Sequence, residues 1–125
     1  MNNWQDTAAR RFLALADMLM LDKVTLNQVP VIMLHNFYLI TSWLYYEVNE
    51  EVIRDTKYDE ICNYIKDNFM TFFMAPIWHK EKTLQYERFA AGTGFDLEYP
   101  RQIKEIGFEM LRLLSIGGVK LQWQG

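Results

Sequence analysis

The chain has 125 residues and a mass of 15.0 kDa, the length of one domain, and its 50% apolar, 15% aromatic and 23% charged residues argue for a folded core and against disorder. A single cysteine, Cys62, excludes an internal disulfide framework and every multi-cysteine zinc or iron–sulfur site. Thirteen basic against sixteen acidic side chains leave a net charge of −3, the wrong balance for a protein that wraps duplex nucleic acid.

The start, Met1 to Asp6, lacks the basic and apolar regions of a secretory leader, which points to an intracellular, soluble, cytoplasmic protein. Phe12, Leu15, Ala16, Leu19 and Met20 recur at helical spacing and predict a first helix over about Trp4 to Leu21. Asp22 to Gln28 reads as a connection. Pro30 suits a first helical turn, where its missing N–H leaves no bond unmade, and opens a second, very apolar helix to about Val48. The apolar stretch Val29 to Tyr46 approaches membrane-span length. Pro30, His35, Asn36, Thr41 and Ser42 interrupt it, so a core helix is expected, with His35 as a hydrogen-bonded core residue.

Asn49-Glu50-Glu51 forms a polar turn, and Asp55 is the expected N-cap of a third helix. The stripe of that helix is Tyr58, Ile61, Cys62, Ile65, Phe69 and Phe72, and Pro76 ends it or lies just beyond. Thr83 to Phe95 has no clear period, and Gly92-Thr93-Gly94 reads as an ordinary turn. Pro100 opens a last helix through Ile103, Ile106, Phe108, Met110, Leu111 and Leu114, closed by Gly117-Gly118. Val119 to Trp123 alternates too briefly for a convincing strand. The expected fold is all-α, a single compact domain over residues 1–125 with about four to five helices. Trp78 and Trp123, in mixed polar surroundings, are the candidates for an interface anchor.

Signatures of catalysis are absent: no Gly-x-Ser-x-Gly, His-Glu-x-x-His, phosphate loop or Cys-x-x-Cys occurs. His35, His79 and Cys62 have no metal-ligand spacing, so no metal is expected. The informative segment runs from Tyr45 to Asp59. A helix ends in Tyr45-Tyr46, a short turn follows, and Asp55, Tyr58, Asp59 and Cys62 recur at the i, i+3, i+4, i+7 spacing of one helical face. Packing across so short a turn brings the tyrosine pair close to Asp55 and Asp59. Phenol faces stack on flat cationic rings, and carboxylates accept from amide or ribose donors. Such a set suits a positively charged ring bearing a carboxamide and a sugar; equally, it is what a capping aspartate, a solvated aspartate and core tyrosines would produce.

The segment resembles the N-terminal helical domain, called Ia, of bacterial NAD-dependent DNA ligases. That domain's hallmark is a Tyr-(Tyr or His) pair, a short variable stretch with a proline, then (Ser or Pro)-Asp-x-x-Tyr-Asp-x-Leu. Tyr45 and Tyr46 match the aromatic pair, Asp55 the first aspartate, Tyr58 and Asp59 the Tyr-Asp pair, with Ile61 in place of the leucine. The resemblance covers about Tyr45 to Ile65, within a helical hairpin at about 31–73. It implies that Tyr45 stacks on the nicotinamide ring of NAD or nicotinamide mononucleotide, with Tyr46, Asp55, Tyr58 and Asp59 completing the pocket. Glu50-Glu51 stand where the family has its proline, and Arg54 replaces the small residue before the aspartate. The adenylating motif Lys-x-Asp-Gly does not occur, so this chain by itself is no ligase and no enzyme activity is expected.

Three readings follow. The first is a non-catalytic protein-interaction module on a ligase Ia-like scaffold, such as a virus-encoded modulator of a host protein. The alternative is an NAD- or nicotinamide mononucleotide-binding subunit of a split ligase, whose partner is the adenylating chain. A hydrolase or nuclease holding a divalent metal on Asp55 and Asp59 is the third, and it needs a further acid. No membrane association and no direct contact with duplex DNA are expected.

Overall fold

An α-helix that is apolar on every side has to be wrapped by the rest of its domain, and the stretch after Pro30 is wrapped in this way. The computed structural model describes residues 3–77 and 79–125. Its helices are α1 (Trp4–Met20), α2 (Val31–Trp43), α3 (Asp55–Asp67), α4 (Phe69–Met74), α5 (Lys80–Thr83), α6 (Tyr86–Ala91) and α7 (Arg101–Ser115). Two 3₁₀ turns, Leu26–Gln28 and Gln122–Gln124, complete the order, together with a π turn, Leu44–Val48, that prolongs α2. No strand forms among the described residues, and the class is all-α as expected. Trp78 lies outside the described residues, and with it the expectation that it anchors an interface.

In α2, Leu34, His35 and the whole run from Phe37 to Trp43 are buried. α7 lies against one side of it, α3 and α4 against another, while α1 pairs with α7 and α6 with α3. α7 turns Ile103, Ile106, Gly107, Met110 and Leu113 inward. Gly107 sets the approach of α7 to α2: a Cβ there would stand 2.5 Å from Cζ3 of Trp43, closer than any real contact. His35 is the hydrogen-bonded core histidine expected, its Nε2 3.0 Å from the Thr83 carbonyl. No helix among the described residues is long and apolar enough to cross a membrane.

Two expectations need correction. Asp55 is not an N-cap: it is already the first helical residue of α3, and the cap position belongs to Arg54, in an extended conformation without a side-chain capping bond. A cap has to be non-helical to turn its oxygen onto the first-turn N–H groups, so the Asp55 carboxylate is left for other partners. The third helix also does not run through to Pro76. It breaks at Asn68, whose side-chain amide donates to the Tyr64 carbonyl at 2.8 Å, the local competition with the helix ladder at which asparagine excels. The stripe is thereby split between α3 and α4, although Ile61, Cys62, Ile65 and Phe72 still reach the core.

Candidate functional site

The end of α2 sets the first wall of the site. Instead of stopping in an α-turn, the helix widens into the π turn Leu44–Val48, which Asn49 closes in the left-handed conformation, φ 62°. Leu44 is fully buried, and the Glu50 N–H donates to its carbonyl at 2.8 Å. Anchored by that residue, Tyr45 and Tyr46 project side by side, their rings edge to face at 4.9 Å. A bent segment then carries Val52 and Ile53 into the core, and the extended Arg54 delivers Asp55 to the start of α3.

Tyr45, Tyr46, Asp55, Tyr58 and Asp59, the five residues singled out in the sequence, line one cleft of about 210 Å³. Glu50, Glu51 and Gly92 share its walls, with Thr41, Val52 and Ile53 deeper in. Ligand sites for drug-sized molecules run to roughly 300–1,000 Å³. This cleft therefore takes one ring with its substituent and leaves the remainder of a larger molecule outside.

The tyrosines are not equivalent. Tyr45 is 42% exposed and presents its ring to an incoming group. Tyr46 is half-buried, and its hydroxyl accepts from Oγ1 of Thr93 at 2.9 Å. Tyr58 is tied into the core: its hydroxyl lies 2.7 Å from Oγ of Ser42, and its ring stacks on Tyr38 at 5.9 Å. Burial pushes the hydroxyls of Tyr58 and Tyr38 well above the usual phenol range, so both stay protonated. Cys62, next on the same face, is buried beneath them, and burial pushes its thiol up to about 12; it is an inert core residue.

A second wall comes, through Gly92, from a segment that the sequence left as an ordinary turn. Gly92-Thr93-Gly94 is tied by hydroxyls on three sides: Tyr38 donates to the Thr93 carbonyl at 2.9 Å, Tyr99 donates to the Gly94 carbonyl at 2.5 Å, and the Thr93 hydroxyl itself donates to Tyr46. Gly94 must be glycine here, because a Cβ would fall 2.4 Å from Oγ of Ser42 and 3.0 Å from the Tyr58 hydroxyl. Phe95 follows, 61% exposed, and meets the Tyr46 ring edge to face at 5.8 Å. The available signal was the pair of glycines flanking one threonine; nothing local said which surface they would seat against.

Arg54 stands close to the motif but points elsewhere, its guanidinium over the Trp123 ring at 5.4 Å. Trp123, an expected interface anchor, is engaged within the fold: its indole N–H donates to the Val52 carbonyl at 2.9 Å, and its backbone N–H to Asp17 at 3.1 Å. Among the described residues no group of three or more histidine, cysteine, aspartate or glutamate side chains converges to hold a metal ion, so the metal reading of Asp55 and Asp59 finds no third ligand there.

No protein-family model, no curated protein and no solved structure matches this chain. None of these comparisons links the chain to ligase domain Ia.

Proposed function

We propose that this protein is a non-catalytic recognition module that takes the ring of a nicotinamide compound into the cleft between the π turn and the Gly92–Gly94 turn. The observation that carries this reading is the convergence of Tyr45, Tyr46, Asp55, Tyr58 and Asp59 on one cleft of single-ring size. Tyr45 is the stacking face. Asp55 and Asp59 accept from the carboxamide or from sugar hydroxyls, and Tyr46 and Tyr58, held by Thr93 and Ser42, form rigid sides. In a split ligase the adenylating residues would belong to a second chain, and this module would hold the nicotinamide end.

Calorimetric titration with nicotinamide mononucleotide, NAD and nicotinamide riboside tests it. Saturable binding by at least one of them, lost in Tyr45→Ala and Asp59→Ala with the fold intact, is the expected result. Silence from all three up to millimolar ligand overturns it.

One observation favours a second reading, a protein-interaction module that acts on a host protein of a virus. α4 leaves Met70, Phe73 and Met74 exposed beside Tyr86 of α6, with Phe69 bridging Phe73 and Tyr86 through ring contacts. Exposed apolar residues grouped in this way mark docking surfaces. Capture of one defined partner, abolished by Met70→Asp and indifferent to Tyr45→Ala, would support this reading over the first.

A further inference from the structure

The charge around the cleft is one-sided. Glu50, Glu51, Asp55 and Asp59 all line it, and among the described residues no lysine, arginine or histidine does. The basic residues nearest in sequence are engaged elsewhere: Arg54 over Trp123, Lys57 with Glu60 at 2.9 Å and Asp22 at 3.6 Å, and Arg88 with the Phe95 carbonyl. A helix start is the usual seat for a phosphate, but the first turn of α3 already carries Asp55, so that end offers a phosphate little.

We infer that the cleft selects an organic cation without a phosphate: an N-substituted pyridinium carboxamide such as nicotinamide riboside, in preference to the mononucleotide or dinucleotide. The inference rests on the reading above that a nicotinamide-type ring enters here, and it assigns Glu50 and Glu51 as the residues that set specificity. The carboxylates ring a space bounded by tyrosines instead of converging on a point, which suits a diffuse charge spread over a flat ring. Phenol faces attract such a cation, and the four carboxylates add to that attraction. A phosphomonoester brings about −1.5 to −2 charges. On the ribose of a bound mononucleotide it lies within roughly a Debye length of the acidic lining, about 8 Å at physiological salt. Repulsion at that range weakens binding about tenfold.

Calorimetry with nicotinamide riboside, nicotinamide mononucleotide and neutral nicotinamide, at low and at high salt, tests it, and Glu50→Gln/Glu51→Gln is the informative variant because both side chains are exposed. The expected result is riboside binding about tenfold tighter than mononucleotide at low salt, with most of the gap closing in the double variant and in high salt. If the variant fails to fold by circular dichroism, the wild-type salt series decides. Mononucleotide binding as tightly as riboside overturns the inference while leaving the ring-binding reading intact. Riboside binding no tighter than neutral nicotinamide does the same, since the charge would then go unread. Absence of binding by riboside and mononucleotide overturns the inference, and silence from NAD as well overturns the ring-binding reading itself.

Discussion

The two walls of the cleft are built on opposite plans. On one side, the Tyr45-Tyr46 turn and the acidic loop after it are shaped by backbone: a widened helical turn, a left-handed Asn49, a buried Leu44. Tyr45, Glu50 and Glu51 stand exposed on that scaffold, and Tyr46 alone is tied across to the other side. On the other side, Gly92-Thr93-Gly94 has no regular structure, carries no charge and is fixed by hydroxyl groups from Tyr38, Tyr99 and Tyr46. The first wall can therefore vary its chemistry at little cost in stability. In the second, shape and stability are the same contacts.

The largest effect expected from that contrast is at Tyr38. Fully buried, it stacks on Tyr58, packs at a tilt against Phe89 and holds the Thr93 carbonyl. Tyr38→Ala should cost about 3–5 kcal/mol in urea unfolding; a loss under about 1 kcal/mol, the scale of a single net hydrogen bond, would mean the second wall does not depend on it. Gly94→Ala comes next. With its Cβ 2.4 Å from Ser42, the turn has to move, at about 1–3 kcal/mol, and an unchanged melting temperature would refute the close seating.

A smaller effect is expected from pH. His35 reaches across to the segment that leads into the second wall through Nε2, which donates to the Thr83 carbonyl, while Nδ1 is buried without a partner. Burial lowers its pKa below the ordinary 6.5, with the Thr83 bond opposing the shift. The unfolded chain therefore takes up a proton below about that pH that the folded chain resists, and stability falls as the pH drops beneath 6.5, with no contribution above it. Urea midpoints at pH 7.5 and 5.5 measure the loss, and His35→Gln should shrink it; an equal loss in the variant would assign it to other groups. The smallest change in stability is expected at Tyr45. Tyr45→Ala on the exposed first wall should stay within about 0.5 kcal/mol of the wild type while abolishing ring binding. A large stability loss there would erase the distinction between the walls.

The same contrast separates what was legible in the sequence from what was not. Helices α1, α2 and α7 follow from apolar period and from Pro30, Pro100 and Gly117, because long amphipathic or wholly apolar helices carry their own instructions. The meeting of Tyr45, Tyr46, Asp55, Tyr58 and Asp59 was legible for a related reason: a short turn and one helical face fix their neighbourhood locally. Asn68, a single polar residue inside an unbroken apolar stripe, gave no periodic sign that the third helix would stop. The Gly92–Gly94 wall was illegible because its partners, Ser42, Tyr38 and Tyr99, are distant in sequence or lie beyond an irregular stretch. Only packing chooses them.

The π turn has one further consequence. Its hydrogen bonds enclose one more residue per loop than those of an α-helix, so the direction in which Tyr45 and Tyr46 face depends on a residue count between the buried Leu44 and Asn49. Deleting a single residue from Glu47-Val48 would let that stretch wind back to α-helical phase and swing the tyrosine pair around the axis, away from Asp55 and Asp59, with every aromatic and acidic side chain still present. Substitution scans never sample such a change. In this hairpin, chain length is itself a determinant of the site, and insertions or deletions are the changes to which it is most exposed.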